Sequence, residues 1–161
     1  MTIVPYQFAP PKGMAEVEAR YGKFTYHEQS GGNIMIDGSW MHDNLVVLHN
    51  VAGTGLNIQL HRLIAPLYEV CLTEALKRCP AYKIRMMGGH CARHQLHNPK
   101  NPLSIHSWGA AFDLNWDTNP LGVRKTDFPA PFIAAFTEQG WQHGLNFAEA
   151  DPMHFQYATG V

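Results

Sequence analysis

The chain reads as an α+β protein, a small single domain in which an antiparallel sheet is flanked by helices. Two patterns predict this class. Short runs of strand-forming residues bounded by Gly, Asn and Pro recur along the chain, and two other stretches carry apolar side chains at three- and four-residue steps. Length adds a third observation. At 161 residues, 45% of them hydrophobic and 16% charged, the chain can bury a core without disulfide staples, so a single domain over 1–161 is expected.

Residues 14–21 follow Pro10 and Pro11 and precede Gly22, a helix with a glycine stop that caps the core. Residues 24–28 and 34–37 flank Ser30-Gly31-Gly32-Asn33 and read as a hairpin, and residues 45–49 form a further strand. Trp40, between them, is expected as a core or edge aromatic. Residues 57–77 hold the longest helical pattern, with Leu60, Leu63, Ile64, Leu67, Cys71, Ala75 and Leu76 near one face. Pro66 lies inside it and predicts either a kink or a broken helix whose second half starts there. Cys79-Pro80 ends the run, residues 82–87 alternate as a strand, and Gly88-Gly89 interrupts before a His-rich loop over 90–97. Loops follow at 98–102 and 117–127, then a helix over 131–139 with Phe132, Ala135 and Phe136 on one side, Asp127 or a neighbour at its N-terminus and Gly140 at its end. A strand over 153–157 closes the chain, which has no internal repeat.

Charge narrows the function. A formal net charge of -1 leaves no basic excess to drive counterion release from nucleic acid or attraction to an anionic membrane. No stretch approaches a membrane span, and residues 1–6 lack the basic and apolar regions of a leader, so a soluble product made in the cytoplasm without a signal peptide, and a monomer, is expected. Cys71, Cys79 and Cys91 are odd in number and lack CxxC spacing, which favours buried or inert thiols over a disulfide framework or a thiolate zinc site.

Ten histidines make a metal site worth seeking, and residues 104–115 are where the chain concentrates the means. His106 and Asp113 stand seven apart, which neither a helix nor a straight strand would aim together. Gly109 between them permits a sharp turn into a strand over 110–115, folding His106 back toward Asp113. A catalytic zinc takes three protein ligands and keeps one position open, and His154 is the best third candidate. Pro152 discourages a helix, so an extended Asp151-x-x-His154 could aim His154 at the metal and Asp151 at its water as general base. Arg93, permanently protonated, could stabilise a developing oxyanion, with Lys100 a weaker substitute. His94 and His97 could contact substrate or a second metal, but histidines in a polar loop are more often exposed. Trp108, Trp116 and Trp141 could line a cleft or fill the core, and Asn115 and Asp117 could orient ligands or form a turn.

The pattern Ser104-x-His106-x-x-Gly109-x-Ala111-x-Asp113, followed by Asp151-x-x-His154, resembles the signature of the M15 zinc peptidases, which include D-Ala-D-Ala carboxypeptidases, D,D-dipeptidases and phage L-alanyl-D-glutamate endolysins. The resemblance covers the chain from about residue 88 to the end, including Gly140-Trp141 and Phe155, with a looser match before it. It implies the small α+β fold that these enzymes share with Hedgehog-type domains, with Zn2+ as cofactor and His106, Asp113 and His154 as its ligands. Asp151 would be the catalytic carboxylate, Arg93 the substrate-binding and catalytic arginine, and Ser104 a supporting, substrate-side residue; His90 is the alternative occupant of the arginine's place. Aspartate at 151 resembles the phage-type endopeptidase branch more than the dipeptidases, where Glu-x-x-His is usual. The resemblance therefore implies hydrolysis of an amide in the peptide part of bacterial peptidoglycan by an endolysin-type enzyme, reaching the wall after release or within a virion. A D,D-carboxypeptidase or dipeptidase is the close alternative, and a noncatalytic zinc module on the same scaffold is the alternative from another class.

Overall fold

The computed structural model describes residues 8–161 and has α+β architecture; the reading of residues 1–6 as lacking a leader falls outside those described. Helix α1, Gly13–Tyr21, ends at Gly22 as its sequence predicts. Strands β1, Tyr26–Glu28, and β2, Ile34–Ile36, form the expected antiparallel hairpin. Trp40 is buried, but it opens a short helix, α2, Trp40–Asn44, that no sequence pattern announced.

The long helical pattern over 57–77 is corrected. Its first part is strand β4, Ile58–His61, paired antiparallel with β3, Leu45–Leu48, and only its second part is helix α3, Ala65–Arg78. Ile58 and Leu60 satisfy a two-residue period as well as a helical one, and pairing with β3 decides between them. Pro66 falls in the first turn of α3, where its missing N–H and fixed φ cost nothing, so the broken-helix alternative holds.

A second correction concerns residues 82–87, of which only Met87 joins a strand, β5, Met87–Gly88. The stretch before it is fastened by one side chain instead. The buried Asn115 accepts from the Arg85 and Met86 amides at 2.7 and 3.1 Å through Oδ1 and donates to the Lys83 carbonyl at 2.8 Å through Nδ2. Asn115 thus has the turn-organising role, and Asp117 pairs with Arg85 at 3.0 Å rather than orienting a ligand.

Rather than one sheet there are three antiparallel ones among the described residues, and the largest runs β5-β6-β8-β7, with β6 at Ala111–Leu114, β7 at Gln142–His143 and β8 at His154–Gln156. Helix α4, Ala130–Thr137, buries Phe132, Ala135 and Phe136 as expected. Asp127 serves the loop before it, accepting from Tyr82 and Asn119. Helices α3 and α4 pack on the sheet face that carries Phe112 and Phe155. Those two rings stack at 5.0 Å, Tyr68 of α3 meets Phe112 at 4.6 Å, and Phe136 of α4 meets Phe155 at 5.1 Å. Trp108 and Trp141 belong to this core, whereas Trp116 is 41% exposed. Cys71 and Cys79 are buried free thiols, and Cys91 is an exposed free thiol on the loop after β5.

Candidate metal centre and cleft

The period of a strand places the site. In the β6–β8 register Phe112 faces Phe155 and Asp113 faces His154, so the aromatic pair enters the core and the Asp113–His154 pair projects from the opposite face. His106 arrives by the predicted glycine turn. Residues Ile105–Trp108 form a single 3₁₀ segment whose first amides are capped by Ser104, with Oγ accepting from the His106 N–H at 3.3 Å. Gly109 follows at φ 66°, the left-handed region that disfavours side chains, and a Cβ there would stand 2.8 Å from the His61 nitrogen.

The three side chains meet closely. His106 Nε2 lies 3.2 Å from Asp113 Oδ1 and 3.1 Å from His154 Nδ1, which is itself 3.1 Å from Asp113 Oδ1. The far nitrogen of each ring is already committed: His106 Nδ1 donates to the Gly89 carbonyl at 2.7 Å, and His154 Nε2 to the Gln156 side-chain oxygen at 2.9 Å. Each neutral imidazole therefore turns a lone pair inward, toward the other lone pair and a carboxylate oxygen. Three acceptors facing one another would be held together by a cation among them. Two imidazoles and one carboxylate are also a donor set suited to zinc, whose bonds of about 2.0–2.1 Å in a tetrahedron separate ligand atoms by about 3.3 Å. The residues present fit that metal.

Electrostatics agree. Burial pushes the Asp113 carboxyl up, but the His106 and His154 rings outweigh it and hold Asp113 well below the usual carboxylate range. Burial pushes His154 down, yet hydrogen bonding and attraction from Asp113, with help from Asp151 and Gln156, leave it raised. Both shifts reflect a cluster that favours positive charge at its centre.

Asp151 reaches the same cleft by a route that differs from the expected extended segment. His154 N–H donates to the Asp151 carbonyl at 3.0 Å, so 151–154 is a turn leading into β8. Pro152 tolerates this because the bond needs the amide of His154, not its own. His143 clamps the turn from β7, donating from Nε2 to the Pro152 carbonyl at 2.7 Å. Burial raises the Asp151 carboxyl, with Asp113 adding to the shift and His154, His106 and Arg93 opposing it, and its Oδ1 is buried without a hydrogen-bond partner among the described residues.

Two connected hollows flank the triad. One, of about 610 Å³, is lined by Arg93, Ser104, Asp113, Asp151 and His154. The other, of about 450 Å³, extends past Gly88, His90, Cys91 and Trp116. Arg93, His97, Asp113, Leu121 and Met153 border both, so the cleft continues to either side of the cluster. Lys100 is exposed on the loop beyond. His97 is exposed as anticipated, but His94 is buried and bonded on both ring nitrogens, a partnership with residue 28 that sequence distance conceals. Gln156 and Gly89, which fix the two rings, also escaped the sequence reading; Gln156 carries a detectable signal, standing two residues beyond His154 and hence on the same strand face.

Residues 97–157 match the family model described as D-alanyl-D-alanine carboxypeptidase. No curated protein and no solved structure matches the chain. The matched span contains His106, Asp113, Asp151 and His154, so this part of the chain is similar to the M15 peptidase family.

Proposed function

We propose that the protein is a zinc-dependent peptidase that hydrolyses an amide bond within the peptide part of bacterial peptidoglycan, in the manner of a phage endolysin. The observation that carries the metal assignment is the inward-facing trio of acceptor atoms on His106, Asp113 and His154, with the outer nitrogens of both histidines already donating elsewhere. When bound there, zinc supplies Lewis acidity, which acidifies water and polarises a carbonyl.

The remaining work falls to side chains. Asp151, partly desolvated and raised in pKa, accepts the proton of the attacking water and returns it to the leaving amine, a role worth roughly 10²- to 10⁴-fold. Arg93 offers guanidinium donors to the carbonyl oxygen as negative charge develops. Ser104 holds the turn that aims His106. An internal bond is favoured because the cleft is open to both sides of the cluster, allowing chain to extend either way. The carboxypeptidase alternative draws on the description of the matched family, and Arg93 would then receive a terminal carboxylate. A noncatalytic module would have no use for a buried carboxyl beside the cluster.

Mass spectrometry of digested peptidoglycan separates these readings. New N-terminal D-Glu is expected, whereas release of terminal D-Ala would establish the carboxypeptidase. Unchanged muropeptides with zinc-loaded protein would defeat both. With Asp151→Ala, digestion should cease while zinc stays bound; a wild-type rate in that variant removes Asp151 from the chemistry.

A further inference from the structure

The loop that presents Arg93 is fastened from within the family-matched span, by Ser104 and Ser107, and also from outside it. His94, one residue on, is 5% exposed. Its Nδ1 lies 2.6 Å from the Asn101 carbonyl, and its Nε2 lies 3.0 and 3.1 Å from the two carboxylate oxygens of Glu28 in β1. Both neighbours are acceptors, so the ring donates to each and cross-links the N-terminal hairpin to the far end of the loop. Backbone bonds run alongside, from Ile34 N to the Ala92 carbonyl at 3.0 Å and from His94 N to the Gly32 carbonyl at 2.8 Å.

What this linkage holds is an unusual backbone. Leu96 and His97 are adjacent non-glycine residues, both at φ 54°, and both border the cleft. Such residues keep a left-handed conformation only where their surroundings impose it, and they concentrate at ligand-binding sites. Arg93 depends on the same support, because its Nη1 donates to the His94 carbonyl at 3.2 Å. The peptide group on which the guanidinium leans thus belongs to the residue that the His94 ring anchors, and its own N–H, from Gln95, donates to the Pro102 carbonyl at 2.9 Å.

We propose that Glu28 and His94 form a positioning pair, holding the 93–97 loop so that Arg93, Leu96 and His97 make the substrate wall of the cleft. This rests on the reading above that Arg93 meets the substrate. A pair that merely stabilised the fold would affect stability without acting through Arg93, and the two roles separate experimentally.

A double-mutant cycle supplies the first measurement. His94→Gln and the milder Glu28→Ala should each lower kcat/KM on peptidoglycan peptides by roughly 10- to 100-fold, the scale of a lost hydrogen bond to a charged group, with zinc affinity retained. In an Arg93→Ala background, His94→Gln should cost less than about twofold further. The second measurement needs neither metal nor turnover: in zinc-free, ¹⁵N-labelled protein the Arg93 Nε–H resonance, assigned by its loss in Arg93→Lys, should shift or broaden in Glu28→Ala. Full additivity in the cycle, or an Arg93 resonance that Glu28→Ala leaves unmoved, overturns the proposal. Wild-type protein that leaves peptidoglycan intact would instead defeat the functional reading, and the resonance alone would then decide the positioning role.

Discussion

Gln156→Leu tests the metal assignment away from the proposed ligands. Gln156 is 4% exposed, and its side-chain oxygen takes the Nε2 proton of His154 at 2.9 Å, which leaves the Nδ1 lone pair pointing at His106 and Asp113. Leucine approximates the shape and removes the acceptor. His154 must then bury an unsatisfied N–H or move the proton to Nδ1, where it opposes a metal. Losing such an outer partner typically weakens metal binding by about 10- to 100-fold, equivalent to about 1.4–2.7 kcal/mol. Competition against a chromophoric chelator measures the zinc affinity, and thermal melts with and without zinc report the same quantity by linkage. Gln156→Glu, which keeps an acceptor, should retain most of the affinity. If leucine binds zinc within twofold of wild type, the ring orientation is not set by Gln156 and the tautomer argument fails.

Asp151→Asn should lower the hydrolysis rate by roughly 10²- to 10⁴-fold at unchanged zinc stoichiometry, measured by peptidoglycan turbidity and metal analysis together; loss of zinc in this variant would make Asp151 a ligand instead. Gly109→Ala should destabilise the protein by about 1–2 kcal/mol from the left-handed backbone alone, with further loss from the 2.8 Å approach to His61, read by urea denaturation; stability equal to wild type would show that the turn is not tight. His61, pushed down to about 4 by burial and by Arg62 against the raising bond to the Tyr21 carbonyl, binds its proton more weakly folded than unfolded. Its contribution is therefore fully present above about pH 6.5 and is lost as pH falls toward 4, a change of about 3 kcal/mol, and His61→Gln should flatten urea-derived stability between pH 7 and 5. An equal slope in the variant would assign the dependence to other groups.

The meeting of His106, Asp113 and His154 was legible because its logic is local. A glycine between His106 and Asp113 announces the turn, and a two-residue period separates the Phe112 and Phe155 face from the Asp113 and His154 face. Where the reading failed, a distant partner decides. Residues 58–61 fit a helical and a strand period equally, and only pairing with β3 resolves them. Residues 82–86 alternate like a strand, yet Asn115, some thirty positions later, takes the amides that a neighbouring strand would have taken. His94 looked like a surface histidine because Glu28, 66 residues away, cannot be associated with it by spacing. The 151–154 turn was missed for a different reason: proline excludes a helix interior without choosing between an extended segment and a turn closed by the third residue's amide.

The distribution of these parts separates two tasks. The family-matched residues 97–157 supply all three proposed ligands and Asp151, and strands β6 and β8 that carry Asp113 and His154 are backed by the stacked Phe112 and Phe155 and by α3 and α4. Aromatic packing of this kind fixes ligand positions rigidly, since displacing either strand disrupts the core. Arg93, His90 and Cys91 stand outside that span, on a loop tied to the N-terminal hairpin and to β4, where His90 N donates to the Gln59 carbonyl at 2.8 Å. Among the described residues one bond crosses from this wall to a proposed ligand ring, from His106 Nδ1 to the Gly89 carbonyl. Cys91 N donates to the His106 carbonyl at 3.1 Å and Ser104 N to the Arg93 carbonyl at 2.9 Å, and each of these bonds uses backbone of the wall rather than its side chains. Side chains of the wall can therefore change without altering the groups that orient the metal cluster. Arg93→Lys should accordingly alter KM or the distribution of cleavage products while leaving zinc affinity within about twofold of wild type, because guanidinium geometry is lost but no ligand or ligand partner is touched. A parallel fall in zinc affinity would mean that wall and cluster are mechanically coupled, and that the loop acts on the metal site as well as on the substrate.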